Sequence, residues 1–227
     1  MASAKERQEW FDQDFFTQGR KDERGRSIKG AKRDQDSPHY KFMAIAVTQV
    51  LGTEGSWLDI GCGMGWTVQH LRDCGVKNAE GVEISQWAVD NAVCEGIYHG
   101  DVVRLHRLGH ENANLKVSGE SKRWDRILCD RVLGYLEPID AGKAIKALSL
   151  SLAPDGYLVC AIICSDHKSE EVRRNGAWGR KSLRSKEWYV GKFRKNGLVV
   201  DEEKTRAIVE PRSWDCVWVL WREEGAR

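Results

Sequence analysis

Three glycines alternate with larger residues near the start of this chain. Gly61, Gly63 and Gly65 follow a mostly apolar run at 57–60, and a helical pattern begins at Thr67. A glycine-rich turn between a strand and a helix lets backbone N–H groups approach a bound ligand closely. The spacing differs from the dinucleotide pattern G-x-G-x-x-G, because Gly65 falls one position early. The alternative is a tight turn that binds nothing.

Four acidic residues stand at the ends of predicted strands. Asp59 lies in the run before the glycines, Glu83 stands at the end of a run that begins at 79, Asp101 follows a short run at 96–99, and Asp130 ends a run at 124–130. Parallel strands place their carboxyl ends at one edge of a sheet, where ligands bind. We therefore expect a ligand to lie near these residues, although Glu83 alone is also typical of a solvated strand end and Asp101 of an ordinary loop.

The remaining pattern alternates strands with helices, which predicts an α/β sandwich with a mostly parallel sheet. Helices are expected at 40–51, from Thr67, at 85–94 with Ser85 as N-cap, from Pro138 to 152, and at 186–195. Further strands are expected at 157–164, 198–207 and 214–221. The last of these is apolar on both faces and should lie inside the sheet.

Composition excludes several classes of protein. The 227 residues are 41% hydrophobic with a formal charge of +2, which indicates one domain with a sizeable core and no polyelectrolyte character. The seven cysteines form no C-x-x-C pair, and the six histidines show no metal-ligand spacing. We expect no metal site, reduced thiols, a cytoplasmic protein and no membrane contact, because neither a signal peptide nor a membrane-length apolar run is present.

The N-terminal segment 1–37 differs from the rest. An aromatic cluster, comprising Trp10, Phe11, Phe15 and Phe16, is followed by a polar stretch from Gly19 to Ser37. Such rings have little reason to exist on a solvated tail. We predict an N-terminal arm over residues 1–37 that acts as a lid on a domain spanning 38–227, with Tyr40 as its nearest contact to the ligand. The alternative is a tail helix packed only for stability.

The residues 59–65 read D-x-G-x-G-x-G and resemble the first motif of class I S-adenosylmethionine (SAM) methyltransferases of the small-molecule type. The resemblance extends over about residues 40–222. It implies a Rossmann-like sandwich with a seven-stranded, mostly parallel sheet and an antiparallel last strand. It also implies SAM as cofactor and S-adenosylhomocysteine (SAH) as product.

The resemblance further implies roles for individual residues. Glu83 would accept hydrogen bonds from both ribose hydroxyls, Asp101 would meet the adenine amino group between Ile84 and Val102, and Asp130 would lie beside the transferred methyl. The predicted cofactor-binding residues are Tyr40, Asp59, Gly61, Cys62, Gly63, Gly65, Glu83, Ile84, Asp101, Val102 and Asp130.

Methyl transfer mainly requires alignment of the acceptor with the methyl group, and a general base assists a hydroxyl acceptor. Asp130, His167 and Tyr135 are the predicted catalytic residues. The residues after Cys129 lack the [D/N]-P-P-[Y/F] tetrapeptide of amino-directed nucleic-acid methyltransferases. The chain also lacks the Pro-Cys pair of cytosine-C5 enzymes.

We therefore expect a SAM-dependent methyltransferase acting on the oxygen or nitrogen of a small-molecule or sugar-like acceptor. The stretch 168–195 is basic, with Trp178, Trp188, Tyr189 and Phe193 interleaved, which favours an acidic, phosphorylated or nucleic-acid partner. The alternative is a surface helix with its aromatic residues in the core. Two further functions stay open: a methyltransferase of RNA, DNA or protein, and an inactive SAM-binding partner subunit.

Overall fold

The computed structural model describes residues 8–9, 11–17, 36–104, 116–117, 120–165, 183–209 and 216–223. The helices are α1 (Gln13–Thr17), α2 (Pro38–Leu51), α3 (Trp66–Asp73), α4 (Gln86–Asp90), α5 (Pro138–Ser151), α6 (Lys186–Lys195) and α7 (Glu202–Val209). The strands are β1 (Ser56–Ile60), β2 (Asn78–Glu83), β3 (Ile97–His99), β4 (Lys116–Val117), β5 (Glu120–Ser121), β6 (Trp124–Asp130), β7 (Leu152–Ile162), β8 (Leu198–Val200) and β9 (Cys216–Arg222). Single 3-10 turns span Val102–Arg104 and Leu133–Tyr135.

Seven strands form the central sheet in the order β3-β2-β1-β6-β7-β9-β8, and β4 pairs with β5 in a separate hairpin. The five strands from β3 to β7 pair in parallel, whereas β9 is antiparallel to both of its neighbours. The predicted sheet, with its antiparallel last strand inside the sheet, is therefore confirmed. Strand order reverses between β1 and β6, where α/β proteins open a ligand crevice.

Helices cover both faces of the sheet because its central strands are apolar on both sides. Along β7, Val159 and Ala161 pack in the same core cluster as residues of α2, α3 and α7. The alternating Leu158 and Cys160 pack with α5 and α6 on the other face. The strand ends are thereby fixed between two layers. None of the described helices combines the length and apolarity needed to cross a membrane.

Three element boundaries differ from the sequence prediction by more than two residues. The helix capped by Ser85 ends at Asp90 and not at 94, because Asn91 leaves the helical conformation. The predicted strand 198–207 is wrong beyond Val200. Asp201 accepts a hydrogen bond from the backbone N–H of Lys204 (2.9 Å), and this N-cap begins α7.

The third difference concerns β7, which starts at Leu152 and not at 157. The predicted turn at 154–156 survives as an irregularity within it, where Asp155 has φ 60° and the register with β6 shifts. The predicted start of the last strand at 214 lies outside the described residues.

Ser37 and Ser185 cap α2 and α6 through their hydroxyl groups, which fixes the first turn of each helix.

Candidate active site

A cleft of about 940 Å³, counting its open mouth, lies at the carboxyl ends of β1, β2 and β6. The lining residues are Phe11, Phe15, Phe16, Tyr40, Asp59, Ile60, Gly61, Cys62, Gly63, Thr67, Val82, Glu83, Ile84, Gly100, Asp101, Val102, Asp130, Arg131, Val132, Tyr135 and Leu136.

The glycine turn packs too tightly for side chains at two of its positions. Gly61 has φ 67°, and a Cβ there would lie 2.4 Å from Cγ2 of Val132. Gly65 has φ 85°, caps α3, and a Cβ there would lie 2.9 Å from Cδ1 of Ile97. Gly61 therefore faces the cleft, whereas Gly65, predicted to bind the cofactor, is not among the lining residues and packs against β3.

Glu83 ties the glycine turn to the end of β2. Its Oε2 accepts the backbone N–H of Gly63 and its Oε1 that of Ser85, both at 2.9 Å. Burial raises the pKa of this carboxyl, and the N–H groups of Ser85, Gly63 and Ile84 oppose that rise. Each oxygen keeps further lone-pair capacity, so the carboxylate can accept two more hydrogen bonds from a ligand.

Asp59 lies at the floor of the cleft and is only 3% exposed. Burial raises its pKa well above the ordinary value, and the carboxylates of Asp130 and Glu83 raise it further. A hydrogen bond from the hydroxyl of Thr67 on α3 opposes that rise. Three carboxylates thus repel one another in a poorly solvated space, and a cationic ligand would relieve this repulsion.

The end of the cleft next to β3 is lined by Ile84, Asp101 and Val102. Asp101 is buried and its Oδ1 accepts the backbone N–H of Val103 at 3.0 Å, which closes a short turn. Val102 begins the 3-10 turn and is also buried. Two apolar side chains therefore accompany one buried carboxylate at this end.

Asp130 ends β6 at the opposite side of the cleft. Its Oδ2 lies 2.5 Å from Nε2 of His39, a buried residue in the first turn of α2. The next residue, Arg131, has φ 60°, and its backbone N–H donates to the carbonyl of Ala161 at 2.7 Å. A left-handed arginine in a cleft is uncommon and marks a backbone held in place by its surroundings.

The aromatic residues of the N-terminal arm bridge the cleft. Phe16 stacks on Trp87 of α4 (ring centroids 5.7 Å apart) and meets Phe15 at 5.1 Å. Phe15 meets Phe11 at 4.9 Å, and Phe11 meets Tyr135 at 5.4 Å, both edge to face. These rings, which we call the aromatic bridge, run from α4 to the turn after β6. Trp10, the other predicted member, lies outside the described residues.

Arg184 supports the turn that bears Tyr135. Its guanidinium is buried and donates to the carbonyls of Leu133 (3.4 Å) and Leu136, as well as to the hydroxyl of Tyr189 (3.2 Å). The ring of Trp188 lies 4.9 Å from its charged carbon. Charged hydrogen bonds to backbone carbonyls fix this wall of the cleft.

The cleft brings together most of the predicted residues. They are Tyr40, Asp59, Gly61, Cys62, Gly63, Glu83, Ile84, Asp101, Val102, Asp130 and Tyr135. His167 lies outside the described residues.

Sequence reasoning missed the cleft residues Thr67 and Arg131, as well as His39, which contacts Asp130. Thr67 stands two positions after the last glycine of the motif, which was a usable signal, whereas nothing local pointed to His39 or Arg131.

The basic and aromatic stretch 168–195 is described from 183 onward. Trp188, Tyr189 and Phe193 pack with the core cluster under α5, so the core alternative holds for these three rings. Trp178 lies outside the described residues. No described residue of 183–195 lines the cleft.

Within the part of the chain that the structure describes, no group of three His, Cys, Asp or Glu side chains has the arrangement of a metal site.

Comparison with solved structures identifies the same fold in known enzymes. The chain is 15% identical to the mitomycin 7-O-methyltransferase MmcR (TM-score 0.58), over 81% of this chain and 53% of that protein. It is 16% identical to the sugar N-methyltransferase KedS8 from Streptoalloteichus sp. (TM-score 0.59; 84% and 89% covered). A SAM-dependent methyltransferase from Clostridium acetobutylicum is 14% identical (TM-score 0.56; 83% and 93% covered).

This chain spans about half the length of MmcR. At these identities the similarity supports the fold alone. A search of curated protein sequences found no match. The sequence profile of the family described as "Methyltransferase domain" matches residues 33–203, which is well over half of the chain. Together with the sheet order and the cleft, this match shows that the chain belongs to the methyltransferase-domain family.

Proposed function

We propose that this protein is a SAM-dependent methyltransferase that methylates an oxygen or nitrogen of a small-molecule acceptor. The observation that supports this most is the joining of four carboxylates from successive strand ends, Asp59, Glu83, Asp101 and Asp130, in one cleft beside the glycine turn. We also propose that residues 38–227 form the methyltransferase domain and residues 1–37 its arm.

The residues of the cleft fit SAM. The remaining lone pairs of Glu83 suit two vicinal hydroxyls, since each of its oxygens accepts one backbone N–H and has capacity for another donor. Asp101 between Ile84 and Val102 suits an amino-substituted planar base. The repulsion that raises the pKa of Asp59 suits a ligand bearing an ammonium and a sulfonium charge.

When bound, SAM supplies an electrophilic methyl group: the acceptor atom bonds to the methyl carbon while the carbon–sulfur bond breaks and its electron pair stays on sulfur. The chain's own task is to hold the acceptor in line and to exclude water. Asp130 and Tyr135 line the cleft and can receive or relay the acceptor's proton. His39 touches Asp130 from outside the lining and acts as a positioning residue. His167 stays a predicted alternative base.

A small acceptor is supported by the aromatic bridge, which crosses the cleft and leaves little room for a polymer. Two of the structurally similar enzymes are named for a mitomycin and a sugar, both small molecules. The basic side chains of α6 do not line the cleft, so the proposal does not depend on an acidic or phosphorylated acceptor.

Calorimetric titration with SAM and SAH, followed by incubation with SAM and a panel of metabolites and nucleic acids, tests the proposal. We expect SAH to bind and to accumulate with at least one small molecule. Absence of SAM and SAH binding would refute the cofactor assignment. Binding with no turnover on any acceptor would favour the inactive partner subunit, and turnover only on RNA, DNA or protein would overturn the small-molecule acceptor.

A further inference from the structure

The cleft has two chemically different ends. The carboxylates Glu83 and Asp101 lie at the end next to β2 and β3. The other end follows β6, and its apolar and aromatic side chains include Phe11, Val132, Tyr135 and Leu136. Under the proposed function, the nucleoside occupies the first end, and the second end takes the acceptor.

The rings at the second end stand edge to face. Phe11 lies between Phe15 (82° between ring planes) and Tyr135 (84°), so neighbouring rings present edges to faces in both contacts. Aromatic pairs prefer such arrangements, and a planar ligand ring extends them without loss of contact. A sugar would need several polar partners there, since each unsatisfied hydroxyl costs free energy on burial.

Among the described residues, Asp130 and Arg131 are the charged groups that line this end. Asp130 faces His39, and Nε of Arg131 lies 3.8 Å from Oδ1 of Asp130, so the arginine's charge is partly matched by a carboxylate. One wall is also rigid, because Arg184 holds the carbonyls of Leu133 and Leu136. A rigid apolar wall beside the pair formed by Asp130 and His39 suits a flat molecule with one reacting polar substituent.

We propose that the methyl acceptor is a planar aromatic compound, bound against Phe11 and Tyr135 with its hydroxyl or amino group directed toward Asp130. This inference rests on the proposed function. It names the acceptor class and assigns Phe11 and Tyr135 as specificity-determining residues. The arm thereby contributes half of the acceptor site.

Binding to the SAH-loaded protein tests the inference with three probes: 2-naphthol, its saturated counterpart decahydro-2-naphthol, and glucose 1-phosphate. The first two share the hydroxyl position and differ in aromaticity. We expect 2-naphthol to bind at least about ten-fold more tightly than the saturated alcohol, since two ring contacts favour it. Glucose 1-phosphate should bind more weakly than both.

Substitutions test whether Phe11 and Tyr135 cause the preference for 2-naphthol. Phe11→Leu and Tyr135→Leu should each remove most of the preference for 2-naphthol, whereas Tyr135→Phe should keep it. Phe42→Leu is the matched control, because Phe42 is 50% exposed on α2 and does not line the cleft. All variants are first checked for SAH binding, which reports folding and the nucleoside end.

Equal binding of the two alcohols, tighter binding of glucose 1-phosphate, or no binding of 2-naphthol would overturn the inference. In each of these cases SAH binding by the wild-type protein would leave the proposed function standing. Failure of SAH to bind the wild-type protein would instead refute the proposed function, and with it the inference.

Discussion

Glu83 both stabilises the local structure and is a candidate for binding the ligand. Both of its oxygens already accept backbone N–H groups, one from the glycine turn and one from the start of α4. The same carboxylate therefore shapes the turn and presents its remaining lone pairs to the cleft. A substitution there acts on folding and on binding, so the two effects must be measured separately.

We predict that Glu83→Ala weakens SAH binding by about 1–3 kcal/mol, because hydroxyls of the ligand lose a buried acceptor. Calorimetry measures the binding, and urea unfolding measures how much stability is lost with the contacts to Gly63 and Ser85. Glu95→Ala, on an exposed residue near β3, is the control and should change neither quantity appreciably. Wild-type affinity in the Glu83 variant would remove Glu83 from the proposed site.

Gly61 gives a second prediction at the scale of the residue. Gly61→Ala should lower the free energy of unfolding by roughly 2–4 kcal/mol, since it combines overpacking against Val132 with a left-handed alanine. In a Val132→Ala background the penalty should fall toward the roughly 1–2 kcal/mol due to the backbone alone.

The control for this series is Gly142→Ala, because a Cβ at that position in α5 meets nothing within 4 Å. Alanine should stabilise the helix there by about 1 kcal/mol. Denaturant unfolding of the four variants measures each contribution. An unchanged penalty in the Val132→Ala background would show that the close approach of the two residues is not the cause.

The sequence predicts those site residues whose positions depend on a local pattern, and it misses those that are placed by contacts between distant parts of the chain. Asp59, Glu83 and Asp130 stand at strand ends whose apolar runs are readable, so their convergence follows from a parallel sheet. The pair formed by His39 and Asp130 joins residues 91 positions apart, and no local pattern encodes such a contact. The left-handed backbone of Arg131 arises from its contact with β7 and is likewise invisible in the residue type.

At the scale of the element, the N-terminal arm packs against parts of the chain that are distant in sequence. Phe15 and Phe16 are 5% and 2% exposed and pack with Ala88 of α4. Phe16 also approaches the glycine turn, since a Cβ on Gly63 would lie 3.4 Å from Cε1 of Phe16. The three described rings of the predicted aromatic cluster, Phe11, Phe15 and Phe16, therefore line the cleft, and the role of the arm as a lid stays a prediction.

We predict that deletion of residues 1–36 leaves a cooperatively folding protein, because Ser37, the cap of α2, is retained. SAH affinity should fall about two- to ten-fold through loss of ring contacts, and methyl transfer should be abolished. Thermal unfolding, calorimetry and SAH formation measure the three effects. Phe16→Leu, which keeps the arm, should show a smaller loss. Wild-type turnover by the truncated protein would refute the lid.

Element boundaries were predictable where apolar periodicity and capping residues agreed. The bounds of β6 and α6 match the prediction residue for residue, since a charged or capping residue flanks each apolar pattern. The error after Val200 has a physical cause: β-branched residues favour a strand at 198–200, but Asp201 offers an N-cap that the prediction ignored. Local capping therefore outweighed strand propensity.

At the scale of the whole molecule, the near-neutral net charge of +2 conceals a local concentration of negative charge. Asp59, Glu83 and Asp130 come from three neighbouring strands, so the sheet itself creates the repulsion. The folded protein tolerates this repulsion between carboxylates. Groups that bind a cationic ligand need not be arranged to give the highest stability to the protein without its ligand. Stability and ligand binding should therefore depend on pH in opposite ways.

The sign of the stability effect follows from proton linkage. The pKa of Asp59 is raised in the folded state by burial and by Asp130 and Glu83. Between the ordinary and the raised pKa, the folded protein holds more protons than the unfolded chain, so Asp59 lowers stability as pH rises through this window. Asp125, whose pKa is lowered by the backbone N–H of Ser56, acts in the opposite sense, so the contribution of Asp59 must be isolated by substitution.

We therefore predict that the stability of Asp59→Asn relative to the wild type increases as pH rises from about 4 to about 8, because asparagine stays neutral throughout. Urea unfolding across this range measures the difference, and Asp155→Asn, at an exposed position, is the matched control. Bound SAM should reduce this dependence on pH, since its positive charge favours ionised Asp59 and its binding releases protons. Calorimetry in buffers of different ionisation enthalpy detects that release. A pH-independent difference between Asp59→Asn and the wild type would refute the raised pKa, and SAM binding without proton release would place its charge away from Asp59.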